Sequence, residues 1–252
     1  MTSVTDPTTP EEPVVALAVI AQQLLADVRR AQTSEQAHEA VVAACLTAAP
    51  GLAGVSVTVR RGSRASTTVS SHPLALRADE VQYGAGEGPC LEAIASGHVV
   101  DVPDLRRDAR WPRAAVGMSE AGAASVLSVP LVAEDELEWA AGVNLYADHP
   151  RGFDAARRAR IDVVAALAAA STAAHGHRER ASNLQEAVAS NRDIGAAVGI
   201  LMALGKLTRD QALGELRRVS QHANRKLRDV ADDVLRTGTL PEPATTRRPA
   251  SH

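Results

Sequence analysis

The aromatic side chains stop at Phe153: from Asp154 to His252 there is no Phe, Tyr or Trp. Aromatic rings bury the most surface per residue, so a core in that stretch has to be assembled from aliphatic side chains. Any surface there that stacks on a base must use guanidinium planes or imidazole. The apolar period changes at the same place. Before it, Val55, Val57 and Val59 alternate with Ser56, Thr58 and Arg60, the two-residue period of a strand with one polar face. After the Arg61 to Arg64 turn, Ala65 to Ser70 reads as the hairpin partner, and Val99 to Val102, Ala124 to Val132 and Trp139 to Tyr146 read as three more strands. Two helices precede the strands. One runs from Val14 to Ala31 with Leu17, Ile20, Leu24 and Val28 on one face; the other runs to Ala49 with Ser34 as its N-cap.

Beyond Asp154 only helical periodicity remains. Asp154 is placed to cap a long helix through Ile161, Val164 and Leu167, and the pattern resumes over Asn183 to Leu204, Thr208 to His222 and Arg225 to Arg236. Thr208 with Gln211 makes a capping box, Asn224 is expected to cap the last helix and Gly238 to end it. The predicted fold is α+β, an antiparallel sheet flanked by helices over 14–176, joined through a long connecting helix to a helical unit over 177–238. The stretches 1–13 and 239–252 carry Pro, Thr and charge without apolar period and are expected to be disordered tails.

Composition narrows the function. With 252 residues, 45% hydrophobic content and a formal net charge of -3, the chain is neither a basic nucleic-acid coat nor an acidic solvating segment. Charge is distributed unevenly: Arg178 to Arg236 holds eleven Lys and Arg against eight Asp and Glu, so this stretch is positive in a negative chain. The excess gathers at Arg217, Arg218, Arg225, Lys226 and Arg228, an arrangement that attracts phosphate, although a solvated helix rim has the same composition. Two cysteines are too few for a disulfide framework, and Met1 to Pro13 lacks the pattern of a secretory signal. A cytoplasmic protein is expected. The apolar run Ile161 to Ala174 contains Asp162 and is mostly alanine, and is read as a soluble helix with no membrane role.

Candidate chemistry is sparse. Gly84-Ala-Gly-Glu-Gly-Pro-Cys90 lacks the flanking residues of a phosphate loop and reads as a tight turn into a helix over Leu91 to Ala95. Cys90 opens that helix, where amide groups favour a thiolate, against the default of a small buried residue. His175 and His177 have only Glu179 nearby as a third ligand and are read as surface histidines; no metal or cofactor is expected. With no nucleophile elbow, metalloprotease motif or catalytic dyad in view, an enzyme is not expected.

Two sets of residues carry a family resemblance. Gly86-Glu-Gly-Pro-Cys-Leu-Glu-Ala93, Val99 to Val102, Asp104-Leu105, Arg110-Trp-Pro112, Ser125 to Leu131 and Asn144-Leu-Tyr146 resemble GAF domains of actinobacterial regulators, modules that sense small molecules or other signals. Ile194 to Met202, Ala212, Leu216-Arg217, Ser220-Gln221 and Asn224 to Ala231 resemble the ANTAR domain, a three-helix RNA-binding module of transcription antitermination regulators. The resemblance implies a signal-responsive antiterminator that binds RNA hairpins. It implies RNA contacts from Arg217, Arg218, Gln221, Asn224, Arg225, Lys226 and Arg228, and a sensor pocket near Tyr83, Cys90, Trp111 and Met118 that takes an unknown small-molecule ligand. The aliphatic stripe Ile194, Ala197, Leu201, Leu204 and the facing Leu213, Leu216, Val219, Leu227, Val230 and Leu235 are assigned to core, with Gly195 and Gly199 permitting close helix approach. Relatives commonly carry polar residues at the positions of Ala196 and Val198, which leaves RNA contact to the last two helices.

Two other readings are open at this stage. The short C-terminal helices suit a helix-turn-helix DNA reader, and the alanine-rich helix after Asp154 suits a GAF-based interaction protein. Alanine faces allow close helix approach, so a homodimer is expected under any of the three.

Overall fold

The computed structural model describes residues 11–132 and 139–241. The chain divides into two compact units, Met1–Arg178 and Glu179–His252. In the first, β1 (Gly54–Arg61), β2 (Arg64–Ser70), β3 (Val100–Val102), β4 (Ser125–Val132) and β5 (Ala140–Ala147) form one sheet in the order β2-β1-β5-β4-β3, every pair antiparallel. The helices are α1 (Glu11–Arg30), α2 (Ser34–Ala48), α3 (Pro73–Ala85), α4 (Pro89–Ser96), α5 (Pro112–Glu120) and α6 (Ala155–Gly205). One sheet face carries Val55, Val57, Val59, Leu127, Val129, Val143 and Leu145. They pack with Leu24 and Val28 of α1, Val41 and Cys45 of α2, and Ile161, Val164 and Ala168 of α6. The opposite face, with Val102, Val126 and Tyr146, packs with Leu74, Ala78, Ala114 and Met118 of α3 and α5.

Burial on both faces changes the meaning of the strand alternation. Ser56 and Thr58, expected on a polar face, are fully buried. Register places Ser56 opposite Asn144, and Asn144 opposite Ser128, so one polar row crosses β1, β5 and β4 beneath the helices. The five expected strands are all present, but α3 and α5 were not read from the sequence. Their signals are local: His72 caps α3 ahead of Pro73, Gly86 ends it with φ 67°, and Pro112 opens α5. The cap of α2 is Thr33, whose hydroxyl accepts from the Gln36 amide at 3.2 Å, one residue before the expected Ser34. Helix α1 begins at Glu11, inside the stretch read as a tail; residues 1–10 and 242–252 lie outside the described residues.

Helix α6 is continuous where the sequence suggested two separate helical patterns. The Asp154 carboxylate accepts from the Arg157 amide at 2.7 Å and caps it as expected. By length and composition it could cross a membrane, with a window of mean hydropathy 1.3. Its residues nevertheless enter both cores, Ile161 and Val164 in the first unit, Ala197 and Leu201 in the second.

The second unit combines the end of α6 with α7 (Arg209–His222) and α8 (Leu227–Thr237). Its core is aliphatic: Ala197, Val198, Leu201, Ala212, Leu216, Val219, Val230, Ala231 and Val234. Thr208 and Gln211 form the capping box on α7, and Gly238 ends α8 with φ 74°. Three expectations need correction. Leu204 is 70% exposed, outside the core stripe. A Cβ at Gly195 or Gly199 would meet nothing within 4 Å, so neither glycine serves a close approach within the described residues. Asn224 is not the cap of α8: it sits in the left-handed region at φ 48°, one residue past the Ala223 C-cap, with its amide on the Gln221 carbonyl and the Arg225 amide on the Ser220 carbonyl. That is a Schellman closure of α7 with asparagine in the glycine position. Leu216 is completely buried at the centre of this aliphatic core. Leu216→Ala is expected to destabilise the second unit by about 2–5 kcal/mol, read as loss of helical signal at lower urea than wild type.

Candidate functional site

Of the four residues assigned to a sensor pocket, two line an open groove of about 450 Å³. Tyr83 and Trp111 contribute to it together with Arg60, Glu87, Leu91 and Glu92, and its volume suits a small ligand. Trp111 is 95% covered and carries the Arg110 guanidinium on its ring at 4.2 Å, so it offers the groove little area. The Glu87 carboxylate accepts from the amides of Arg113 at 2.8 Å and Ala114 at 3.3 Å and pairs with the Arg113 guanidinium at 3.1 Å. These bonds, the Arg113 amide first, hold Glu87 below the usual carboxylate range, and they cap α5 from another element. Cys90 and Met118 are fully buried and do not line the groove. Burial pushes the Cys90 thiol up to about 12, which overturns the thiolate reading: the helix start cannot offset removal from water. His175, expected at the surface, is buried.

Behind the groove lies a polar cluster that the sequence did not disclose. Asp79 of α3 is buried against the sheet and accepts from Tyr146 Oη at 2.5 Å, Asn144 Nδ2 at 3.0 Å and Thr67 Oγ1 at 2.8 Å. Asn144 also donates to Thr58 Oγ1 at 3.0 Å and accepts from Ser128 at 2.9 Å, and Tyr83 Oη bonds the hydroxyls of Thr58 and Thr67. One residue turn later, Gln82 donates to Tyr146 Oη and accepts the Cys90 amide at 2.8 Å. Desolvation raises the Asp79 pKa against the opposing hydrogen bonds. These bonds tie α3 to β1, β2 and β5.

In the second unit the seven residues assigned to RNA contact fall on the last half of α7, the link and the first turn of α8, and all are exposed. Their charges differ in availability. Arg218 pairs with Glu215 at 2.7 Å, Arg225 with Asp233 at 2.7 Å and Arg228 with Asp229 at 3.6 Å. Arg217 and Lys226 have no ion-pair partner among the described residues, and Gln221 shares a helix face with Arg217. The Ser220 hydroxyl donates to the Arg225 carbonyl at 2.6 Å and fixes the link. Val198 is buried in the core, in keeping with its apolar side chain.

A family model of the GAF domain matches residues 30–171, more than half of the chain, and a model of the ANTAR domain matches residues 182–235. The chain is a GAF and ANTAR domain protein. No curated protein matches this GAF and ANTAR domain protein in sequence. Among solved structures, a Burkholderia vietnamiensis protein described as a GAF sensor is 16% identical with a TM-score of 0.53, over 66% of this chain and 99% of that one. Free methionine-R-sulfoxide reductase from Neisseria meningitidis is 15% identical with a TM-score of 0.51, over 71% and 99%. The N-acylhomoserine lactone dependent LuxR family transcription factor CepR2 from Burkholderia cenocepacia is 17% identical with a TM-score of 0.51, over 66% and 98%. At such identities these likenesses establish a shared fold alone. The union of a GAF and an ANTAR domain is that of a signal-responsive regulator, built from sensor and regulatory modules.

The Asp79 cluster in the GAF domain yields a test with a defined sign. Its folded-state pKa lies above the 3.8 of an ordinary Asp, so its contribution to stability is complete below that value and is lost as pH rises through the folded-state pKa. Asp79→Asn keeps a side-chain carbonyl for Tyr146 and Asn144 and is expected to cost under about 1.5 kcal/mol, whereas Asp79→Leu leaves several buried donors unpaired and costs about 3 kcal/mol or more. Urea melts from acidic to mildly alkaline pH are expected to show the wild type losing stability relative to Asp79→Asn as pH rises.

Proposed function

We propose that this protein is a cytoplasmic, signal-responsive RNA-binding antiterminator. Its ANTAR domain grips an RNA hairpin and stabilises it against a competing terminator, and its GAF domain sets when this happens. The observation that carries the reading is the exposed Arg217–Gln221 face, with exposed Lys226 at the start of α8, in the domain that matches the ANTAR model. Arg217, without an acidic partner among the described residues, shares a helix face with Gln221, an amide side chain able to bond base edges, and hairpin loops present such edges unstacked. With no aromatic after Phe153, stacking falls to Arg217 or to the exposed His222. In the GAF domain, the groove beside Tyr83 is the place for an unknown small molecule, and α6 is the element that relays its presence. No step of this reading makes or breaks a covalent bond.

Arg217 and Lys226 are solvent-exposed, so replacing both by Ala should leave the melting curve in place. The double variant is expected to bind a pool of randomised-loop RNA stem-loops at least about tenfold more weakly in filter binding, with a salt slope smaller by about 1.4–1.8. Unchanged affinity would remove these residues from the interface. Tighter binding of duplex DNA than of stem-loops at the same salt would favour the helix-turn-helix reading.

The protein is further proposed to act as a homodimer through α6. Leu184 and Val188, four residues apart on that helix, are 65% and 61% exposed, and every residue from His177 to Ala189 is exposed. A helical stretch with no buried position gains nothing from its own domain, and a second copy would cover it. Sedimentation equilibrium is expected to give about twice 26.3 kDa for the wild type. Leu184→Glu with Val188→Glu is expected to give the monomer mass; an unchanged dimer would place the contact elsewhere.

A further inference from the structure

Arg225 leaves the chain in the link between α7 and α8, yet its guanidinium does not point to the corner where Arg217 and Lys226 stand free. It lies along α8, donating to the Asp229 carbonyl at 3.3 Å and pairing with Asp233 Oδ2 at 2.7 Å. The other oxygen of the same carboxylate, Asp233 Oδ1, takes the Arg236 guanidinium at 2.5 Å. Two cations from different turns thus converge on one anion, one on each oxygen. The side chain of Asp233 is 17% exposed, while those of Arg225 and Arg236 are 40% and 70% exposed, so the carboxylate sits below two guanidinium groups that still reach water. Hydrogen bonds from Arg225, then Arg236, hold the Asp233 carboxyl below the usual range, and it stays charged at neutral pH.

A phosphodiester has the same charge as this carboxylate and likewise presents two equivalent oxygens, and guanidinium groups bond phosphate in paired fashion. We propose that Arg225 and Arg236 form a phosphate-binding fork for RNA, and that Asp233 is its resident competitor. The fork extends the interface from the α7–α8 corner to the far end of α8, to Arg236, a residue that sequence reasoning assigned to no role. Asp233 neutralises one of the two guanidinium charges until RNA draws one of them away. Exposed ion pairs of this kind are weak enough to exchange. The proposal rests on the RNA-binding reading above and adds to it the place of one backbone contact and the group that opposes it.

The test uses the full chain and the same pool of randomised-loop RNA stem-loops, titrated at several salt concentrations. Asp233→Asn removes the competing charge and is expected to tighten binding by about three- to tenfold and to steepen the salt slope by about 0.7–0.9, one further phosphate contact. Arg236→Ala, at an exposed position that leaves the Arg225–Asp233 pair intact, is expected to weaken binding and to cancel most of the gain when combined with Asp233→Asn. Equal or weaker binding by Asp233→Asn, with an unchanged melting curve, would overturn the proposal and make Asp233 a positioning residue for Arg225. Unchanged binding by Arg236→Ala would overturn it independently, even if Asp233→Asn misfolds. A wild-type protein that binds stem-loops no better than heparin would instead sink the RNA reading itself.

Discussion

The bond network around Asp79 is the constraint on which the sensor domain depends. A sheet covered on both faces has no water for its polar row, so Ser128, Asn144 and Thr58 must find partners inside. Asn144 bonds both Ser128 and Thr58, and Asp79 accepts from Asn144, Tyr146 and Thr67, which seats α3 on the sheet. Everything nearer the groove follows from that seat. Gln82 can reach both Tyr146 and the Cys90 amide, which starts α4, and Tyr83 can reach Thr58 and Thr67, which makes one wall of the groove. The same fit explains a glycine. At Gly88 φ is 145° and a Cβ would lie 2.4 Å from Gln82 Oε1, so only glycine allows the turn to pass that side chain. The groove reaches β1 and β2 at Arg60 and Ala65, and Tyr83 ties its wall to the buried polar row behind it.

The second domain solves the opposite problem. It lacks aromatic rings and holds together by small aliphatic residues, which leaves its polar side chains for the surface. Four of its cations, Arg218, Arg225, Arg228 and Arg236, are paired with acids. Availability and number of charges are thus different quantities: Arg217 and Lys226 have no ion-pair partner among the described residues, while Arg225 is drawn along α8 by Asp233.

The legibility of the chain was uneven, for local reasons. Strand β1 showed through its alternation of Val with Ser, Thr and Arg, β2 through the turn before it, and β4 and β5 through the Gly, Pro and charge that separate them. Helices α7 and α8 showed through stripes and stop signals, since Leu216, Val219, Val230 and Val234 face one core. Helix α3 was missed because its buried face includes Asp79 and Gln82, which break the apolar stripe. Asn224 was misread because an asparagine suits a helix start and a left-handed helix end equally, and only the bonding of the link separates them. Of the sensor residues, Tyr83 and Trp111 reach the groove while Cys90 and Met118 turn inward, a distinction of side-chain direction that spacing along the chain does not carry.

Sequence by itself determined the two-part organisation, the strand and helix types of most segments, the family and the reversal of charge near residue 178, because these depend on composition and local periodicity. Tertiary structure alone decided that both sheet faces are buried, that Asp79 is paired inside, and which cations are engaged by acids. Those outcomes join residues far apart in the chain, Asp79 with Asn144 and Tyr146, or Arg225 with Asp233 across two helical turns. No local pattern reports them, since the energy of a buried carboxyl or an ion pair is set by what folding brings alongside it.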